Sequence, residues 1–573
     1  MQNKSKAWIA ILAIFLFIVI VSVGLVVGGR AVSRHLPGNA LLTLNISGPI
    51  PQRSADDPIA ELFGPQPPSF IDLRDALVRA AGDKRVRGVR VKVSELQAGF
   101  ATVQEVRSLL AAVGRAGKPT WAYLETAGEF APGNLEYALA TGCRRVAVNP
   151  IGDVNLVGLA ARSPFIRGTF DKLLIEPEFP GIGDYKTARF LYTEKDFTPA
   201  HREMIGWLVE SLQNQMVAGI ADGRGLTAEQ VSALMQRGPF LGPEALDERL
   251  IDELVDWQTF VASTTAGPAG KLTEVGLRQY LKAGRPDRKG TPIAVVVAEG
   301  TIQRGESGYS PVPLFGGDVM GSSTVARAFQ QVRDSKARAV IFRINSPGGS
   351  AVASEIIRAE MVKTAEKMPV VVSMGDVAAS GGYWITCGAN SVIASPATIT
   401  ASIGVFGGHL AMSKFWEEKL GITWGRFDGA PNAAIHDSLD AWTPEQRKAV
   451  DRWLVRIYDA FLDRVTAARK LSREEADAVG RGRVFTGAQA IGKGLLDELG
   501  GFEAAVAKAR ELAGLKPDAA VDLQFYPKRR TLLETLLERD RDEGHAQLAR
   551  ALRDVAAGRT LAGPVWLPPL EVR

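Results

Sequence analysis

The chain has 573 residues, 46% hydrophobic and 23% charged, with a formal net charge of +5. That is an ordinary globular composition, long enough for two or more domains, and it excludes a fibrous or disordered chain. The basic residues are spread along the sequence with no dense Lys/Arg block or interleaved aromatic stripe, so no nucleic-acid partner is expected.

The first informative segment is 7–29, an uncharged run of Ile, Val, Leu and Phe behind Lys4 and Lys6. At about 1.5 Å per residue it is long enough to cross a hydrocarbon core. It is also longer than the roughly 7–15 apolar residues of a cleaved signal peptide. It reads as one N-terminal transmembrane helix, an uncleaved anchor in the lipid bilayer. Lysines before it and Arg30 and Arg34 after it leave the orientation open by the charge rule. A signal-anchor reading puts the large body outside the cytoplasm.

Beyond the anchor the sequence repeats itself at an offset of about 250 residues. LLTLNISGPI (41–50) matches AVVVAEGTI (294–302), VRGVRVKVSELQAG (86–99) matches ARAVIFRINSPGG (337–349), and KPTWAYLETAG (118–128) matches MPVVVSMGDVA (368–378). Segment 137–159 matches 383–407, and RGPFLGPEALDERLIDELV (237–255) matches RGRVFTGAQAIGKGLLDELG (481–500), pairing Phe240 with Phe485. Short β-branched runs such as 340–344 and 370–373 read as buried strands, and amphipathic stretches such as 354–367 as helices. Alternating units of this kind predict an α/β fold with mostly parallel sheets in two tandem copies. The organisation read this way is an anchor with its flank (1–29), a first repeat domain (30–285), a second (286–515) and a tail (516–573). Residues 267–290 read as the connection, and 531–556 as a charged helix in the tail.

Two glycine-rich turns in the second copy follow predicted strands. In IFRINSPGGS the strand runs into Ser346-Pro347-Gly348-Gly349, a turn that presents bare N–H groups as an oxyanion hole requires. A lone PGG is weak evidence and reads more readily as an ordinary strand-to-helix loop. In VVVSMGDVAASGGYWI a strand ends near Met374, a small-residue loop follows, and Ser380 opens a helix between Ala378-Ala379 and Gly381-Gly382. Small neighbours and a helix N-terminus suit a nucleophilic hydroxyl, although on its own Ser380 reads more readily as a helix cap. None of His35, His201, His409, His436 and His545 stands in a recognisable triad, and no HExxH motif occurs. Cys143 and Cys387 lie in no metal-binding pattern and read as buried small hydrophobes. A lysine serves as base if burial lowers its pKa, and Lys186 in GIGDYKTARF lies in a Gly-rich loop rather than on a charged helix face. The duplication pairs these residues. The first-copy counterpart of Ser380 falls at about Asn134 and that of Gly348-Gly349 at about Gln97-Ala98, while the counterpart of Lys186 falls near Pro431-Asn432. Each copy lacks what the other holds, as one site divided between two copies requires.

With RINSPGG, VAASGGYWI, SIGVFG and YKTA in this order, an N-terminal anchor and both copies, the sequence resembles the signal peptide peptidase A family, long bacterial type with two fused repeats. The resemblance implies Clp protease/crotonase-like units and a serine peptidase with a Ser-Lys dyad. In it Ser380 is the nucleophile, Lys186 the general base, Ser402 the residue that orients the lysine, and Gly348 or Gly349 the oxyanion hole. It also implies a homotetramer on the periplasmic side of the bacterial inner membrane, acting on remnant signal peptides and other unfolded apolar peptides, with no cofactor or metal. Crotonase-like acyl-CoA chemistry, a non-catalytic scaffold and a broad periplasmic peptidase are the competing readings. The first would not require Ser380 and Lys186 together, and the second predicts loss of one of them.

Overall fold

The computed structural model describes residues 36–54, 67–266, 270–283, 290–310 and 317–528. The predicted anchor at 7–29 and the predicted tail helix at 531–556 lie outside the described residues. Among the described residues no helix is long and apolar enough to cross a membrane.

The central strands, such as Val340–Ser346 and Val370–Ala379, are buried on both faces, which is why they read as near-continuous apolar runs. In the first copy they form a six-stranded, all-parallel sheet in the order Glu253–Leu254, Arg145–Val148, Thr120–Leu124, Val86–Gln97, Ala40–Pro49, Thr273–Gly276. The second copy repeats that order strand for strand: Glu498–Leu499, Ser391–Ala394, Val370–Ala379, Val340–Ser346, Thr291–Glu299, Val521–Tyr526. The fold is α/β and duplicated, as the internal repeat predicts.

Two details differ from the sequence reading. The strand Val521–Tyr526 comes from the stretch read as tail, and its counterpart Thr273–Gly276 from the stretch read as connection. Both are short edge strands set among Lys, Pro and Gly, so composition alone hides them. The strand predicted to end near Met374 instead continues to Ala379. Its first half pairs with Ser391–Ala394 and its last three residues with Ile399–Ala401, which in turn pairs antiparallel with Val484–Thr486. The first copy keeps only isolated bridges there, Ala127 to Val154 and Val154 to Phe240.

One hydrophobic core runs through both copies. Val295, Ile341 and Val371 of the second sheet cluster with Val103, Val106 and Leu110 of helix Phe100–Arg115, with Phe502 and Val506 of helix Phe502–Leu512, and with Val89 and Val91 of the first sheet. Polar groups fix the alignment of this junction. Helix Phe100–Arg115 opens on Gly99 and has no side-chain cap of its own. Asp376 of the second copy supplies one, accepting from the Thr102 N–H at 2.8 Å and the Thr102 hydroxyl at 2.6 Å. Helix Phe502–Leu512 opens on Gly501, equally uncapped, and Glu105 of the first copy accepts its Phe502 N–H. Each copy thus satisfies a helix terminus of the other. Glycine at both positions lets the carboxylate reach its cap, because a Cβ would stand 2.2 Å from Asp376 Cγ at Gly99 and 2.5 Å from Glu105 Oε2 at Gly501 and push the side chain away.

Arg343, fully buried on the central strand Val340–Ser346, completes the junction. Its guanidinium donates to Glu105 at 2.8 Å, to Gln52 Oε1 at 2.8 Å, to Ser373 Oγ at 2.9 Å and to the Met374 carbonyl at 3.0 Å, and lies 4.6 Å from the Phe70 ring centroid. Removing one partner of a buried, fully bonded ion pair costs about 3–5 kcal/mol, because the other charge stays buried. Arg343→Met is therefore expected to lower the unfolding free energy measured in guanidinium by that amount, and Arg343→Met with Glu105→Gln to recover part of it.

Candidate active site

Ser380 stands where strand Val370–Ala379 turns into helix Gly381–Trp384. Its backbone lies at φ 54°, ψ −119°, a region a non-glycine residue occupies only when its surroundings hold it there. The holding contact is the Ser380 N–H, which donates to the Ala401 carbonyl at 2.7 Å. Ala401 and Ser402 are themselves left-handed, at φ 67° and 54°. Positive-φ backbone thus stands on both of the segments that face each other across the site. There is no small-residue loop before Ser380; the strand delivers it directly.

Lys186 reaches this point from the first copy. Its loop is held by Gly181–Ile182, which pairs antiparallel with Val405–Phe406, and by the Tyr185 N–H, which donates to the Arg481 carbonyl at 3.0 Å. The next residues of that segment bond Ser402 and Ile403: the Ser402 N–H donates to Arg483 O at 2.9 Å, and the Gly482 N–H to Ile403 O at 2.7 Å. Residues 481–483 therefore lie as a wedge between the lysine loop and the serine loop, bonded to both.

Lys186 is 6% exposed, and its Nζ has three oxygens within reach: Ser380 Oγ at 3.0 Å, Ser402 Oγ at 2.9 Å and the Ser402 carbonyl at 3.0 Å. None is charged. Burial without a carboxylate disfavours the ammonium, and the Lys186 pKa falls from 10.5 to about 7. A neutral amine has two N–H groups and one lone pair. The Ser402 carbonyl can only accept, so it takes one N–H, Ser402 Oγ takes the other, and the lone pair is left for the Ser380 proton.

The turn Ser346–Gly349 lies beside Ser380. Gly348 and Gly349 sit at φ 105° and 153°, and a Cβ would stand 2.8 Å from Ser380 Cβ in the first case and 2.1 Å from the Ile302 carbonyl in the second. The Gly348 N–H is already given to Ser346 Oγ at 3.1 Å. The N–H groups of Gly349 and Gly381 have no acceptor among the described residues, and a Cβ added at Gly381 would stand 3.1 Å from the Gly349 nitrogen. Gly381 is a donor that reading the sequence missed. Its signal was there in principle, since the residue after a nucleophile on a strand-to-helix turn supplies such an N–H. The wedge 481–483 was visible only as a repeat match.

The first-copy equivalents do other work. Tyr137 and Tyr383 each donate a hydroxyl to a leucine carbonyl, of Leu250 and Leu495, which aligns Asn134 with Ser380. Asn134 ties down the neighbouring loop, accepting from the Val157 and Gly158 N–H groups and donating to the Gly158 carbonyl. Pro431 and Asn432 are exposed. His201 lies among Phe165, Phe190 and Phe197, His409 bonds Glu178, and His436 stacks on Trp453. Among the described residues the side-chain partner of Ser380 Oγ is Lys186. Cys143 and Cys387 are buried free thiols.

The family model for peptidase family S49 matches residues 112–269 and 363–516, one segment in each copy. Protease 4 of Salmonella typhi is 32% identical over 569 residues, covering 94% of this chain and 88% of that protein. Protease 4 of Haemophilus influenzae is 30% identical over 575 residues, covering 94% and 90%. The chloroplastic serine protease SPPA of Arabidopsis thaliana is 28% identical over 485 residues, covering 82% and 69%. With a family segment in each copy and relatives of this identity along nearly the whole length, the chain belongs to peptidase family S49 and is a serine peptidase.

Proposed function

We propose that the chain is a membrane-anchored endopeptidase built from two Clp protease/crotonase-like units, in which Ser380 is the nucleophile and Lys186 the general base. Its substrates are remnant signal peptides and similar unfolded apolar peptides. It works as a homotetramer held by the 7–29 helix in the bacterial inner membrane, with the catalytic body on the periplasmic side. The observation that carries the catalytic reading is the Lys186 amine, buried without a carboxylate 3.0 Å from Ser380 Oγ. A pKa near 7 leaves about half of such amines neutral at neutral pH, against about one in 3,000 for an amine near 10.5.

Neutral Lys186 takes the Ser380 proton as Oγ bonds to the peptide carbonyl carbon. The developing oxyanion is received by the Gly349 and Gly381 N–H groups, while Gly348 and its bond to Ser346 shape the turn. The lysine proton then passes to the leaving amine, the C–N bond breaks, and an acyl-enzyme remains. Water, deprotonated by the same amine, releases the acid. Ser402 orients the lysine with its carbonyl and hydroxyl.

Ser380→Ala and Lys186→Met are each expected to lower kcat on an unstructured apolar peptide by at least about a thousand-fold. Retained activity in either variant overturns the assignment, and mass spectrometry after a serine-directed acylating inhibitor should place the adduct on Ser380. The base works only when neutral, so kcat/KM is expected to rise with pH through an acid limb near 7. Stability follows the same titration. The folded-state lysine pKa lies below its unfolded value, so folding is disfavoured most below about 7 and the penalty fades as pH rises toward 10.5. Lys186→Met removes a penalty of up to about 5 kcal/mol. Its melting temperature should exceed the wild type's at pH 6.5, with the gain shrinking toward pH 10. Protease treatment of intact spheroplasts should digest the body; protection would reverse the topology.

A further inference from the structure

The strands Val340–Ser346 and Val370–Ala379 slip against each other just before the site. Ile344 faces Met374, but Ser346 faces Ala378, so residues 375–377 bulge opposite Asn345. The Asn345 side chain spans this bulge. Its Oδ1 accepts the Val377 N–H at 3.1 Å, and its Nδ2 donates to Glu299 Oε1 at 3.0 Å. Glu299 Oε2 accepts the Gln52 N–H at 2.9 Å, and Gln52 Oε1 accepts from the buried Arg343. The hydrogen bonds therefore run without a break from first-copy backbone, through Glu299 and Asn345, into the bulge. Both turns of the site leave from that bulge: Ser346–Gly349 starts at the residue after Asn345, and Ser380 lies three residues beyond Val377. Bulges beside active sites serve to re-aim the residues that follow them.

We infer that Glu299 is a positioning residue for Ser380 and the Gly349 and Gly381 donors, acting through Asn345 and the bulge it fills. The inference rests on the reading of Ser380 as nucleophile. The polarity of the network is what makes it specific. Glu299 faces two donors, so both of its oxygens have to accept, and only a carboxylate does that. In Glu299→Gln, whichever way the amides of residues 299 and 345 turn, one pair of donors is left facing. In Asn345→Asp, two carboxylates face each other. The double variant restores every bond with the charge moved one residue along. The new amide at position 299 would accept from the Gln52 N–H and donate to the new carboxylate at position 345, whose other oxygen would accept from Val377. Protonation of Glu299 weakens the same pair of bonds, because one of its two accepting oxygens then carries a proton. Glu299 lines a cavity of about 300 Å³ with Arg53 and Asp318, and the charges of Asp318 and of Asp376 in the bulge act on it. Burial and these acids raise its pKa to about 7, despite the bonds from Asn345 and Gln52.

The test measures kcat and KM on an unstructured apolar peptide between pH 5.5 and 9, with full-length wild type, Glu299→Gln, Asn345→Asp, the double variant and Ser380→Ala. Each single substitution is expected to lower kcat about ten-fold or more with KM within about two-fold, and the double to return within about three-fold of wild type. The wild-type acid limb should be steeper than one proton, and that of Glu299→Gln a single-proton limb. Wild-type kcat in Glu299→Gln, or a double variant whose loss is the product of the two single losses, overturns the inference. If the single variants do not fold, a double variant with restored melting temperature but without restored kcat overturns it as well. An active Ser380→Ala would instead sink the nucleophile assignment; an inactive Ser380→Ala beside an unaffected Glu299→Gln sinks only this inference.

Discussion

Taking a lysine ammonium out of water without giving it a carboxylate is unfavourable, and the geometry around Lys186 exists to impose that condition. Three neutral oxygens of Ser380 and Ser402 surround the amine. A single well-placed Asp or Glu would hold the ammonium charged and remove it as a base. The loop that carries Lys186 cannot bury it alone. It needs the antiparallel pairing with Val405–Phe406 and the wedge at 481–483, both from the second copy. The chemistry of the amine is therefore a property of the junction between copies, not of either copy.

The same dependence explains how the duplicated units have diverged. Both keep the sheet order, the tyrosine-to-leucine-carbonyl bond and the short helix after the third strand, because those make a stable unit. Where the second copy places a strained serine, the first places Asn134, whose amide satisfies the neighbouring loop. Once one site is assembled across the junction, a second copy of Ser380 would add strain with no base to use it. The counterpart of Lys186 is likewise exposed, where a lysine would keep its ordinary pKa.

Much of this was legible in the sequence. The repeat, the parallel α/β architecture, and the separation of Ser380 from Lys186 on different copies followed from apolar periodicity and aligned motifs. What escaped has a common physical character. Edge strands such as Val521–Tyr526 are mostly only half-buried and run directly into Pro527 and Lys528, so they merge with the linker that carries them. The extension of Val370–Ala379 past Met374 depends on partners 20 and more residues away. The free N–H groups of Gly349 and Gly381, and the engagement of Gly348 by Ser346, are properties of backbone direction rather than of residue type.

The contacts that cross the junction are of two kinds, an apolar core shared by both copies and a set of directional polar bonds. Across it, Asp376 and Glu105 each cap a helix of the opposite copy, and glycines at 99 and 501 leave the space into which the two carboxylates fit. Capping bonds and a buried Arg343–Glu105 pair are directional, with donor and acceptor distances fixed to a few tenths of an ångström. Apolar area holds the two copies together, but it does not fix how they are rotated or slid against one another. A site that needs an amine 3.0 Å from a hydroxyl on the other copy requires that second kind of specification. The polar junction, anchored four residues before Ser380 at Asp376, provides it.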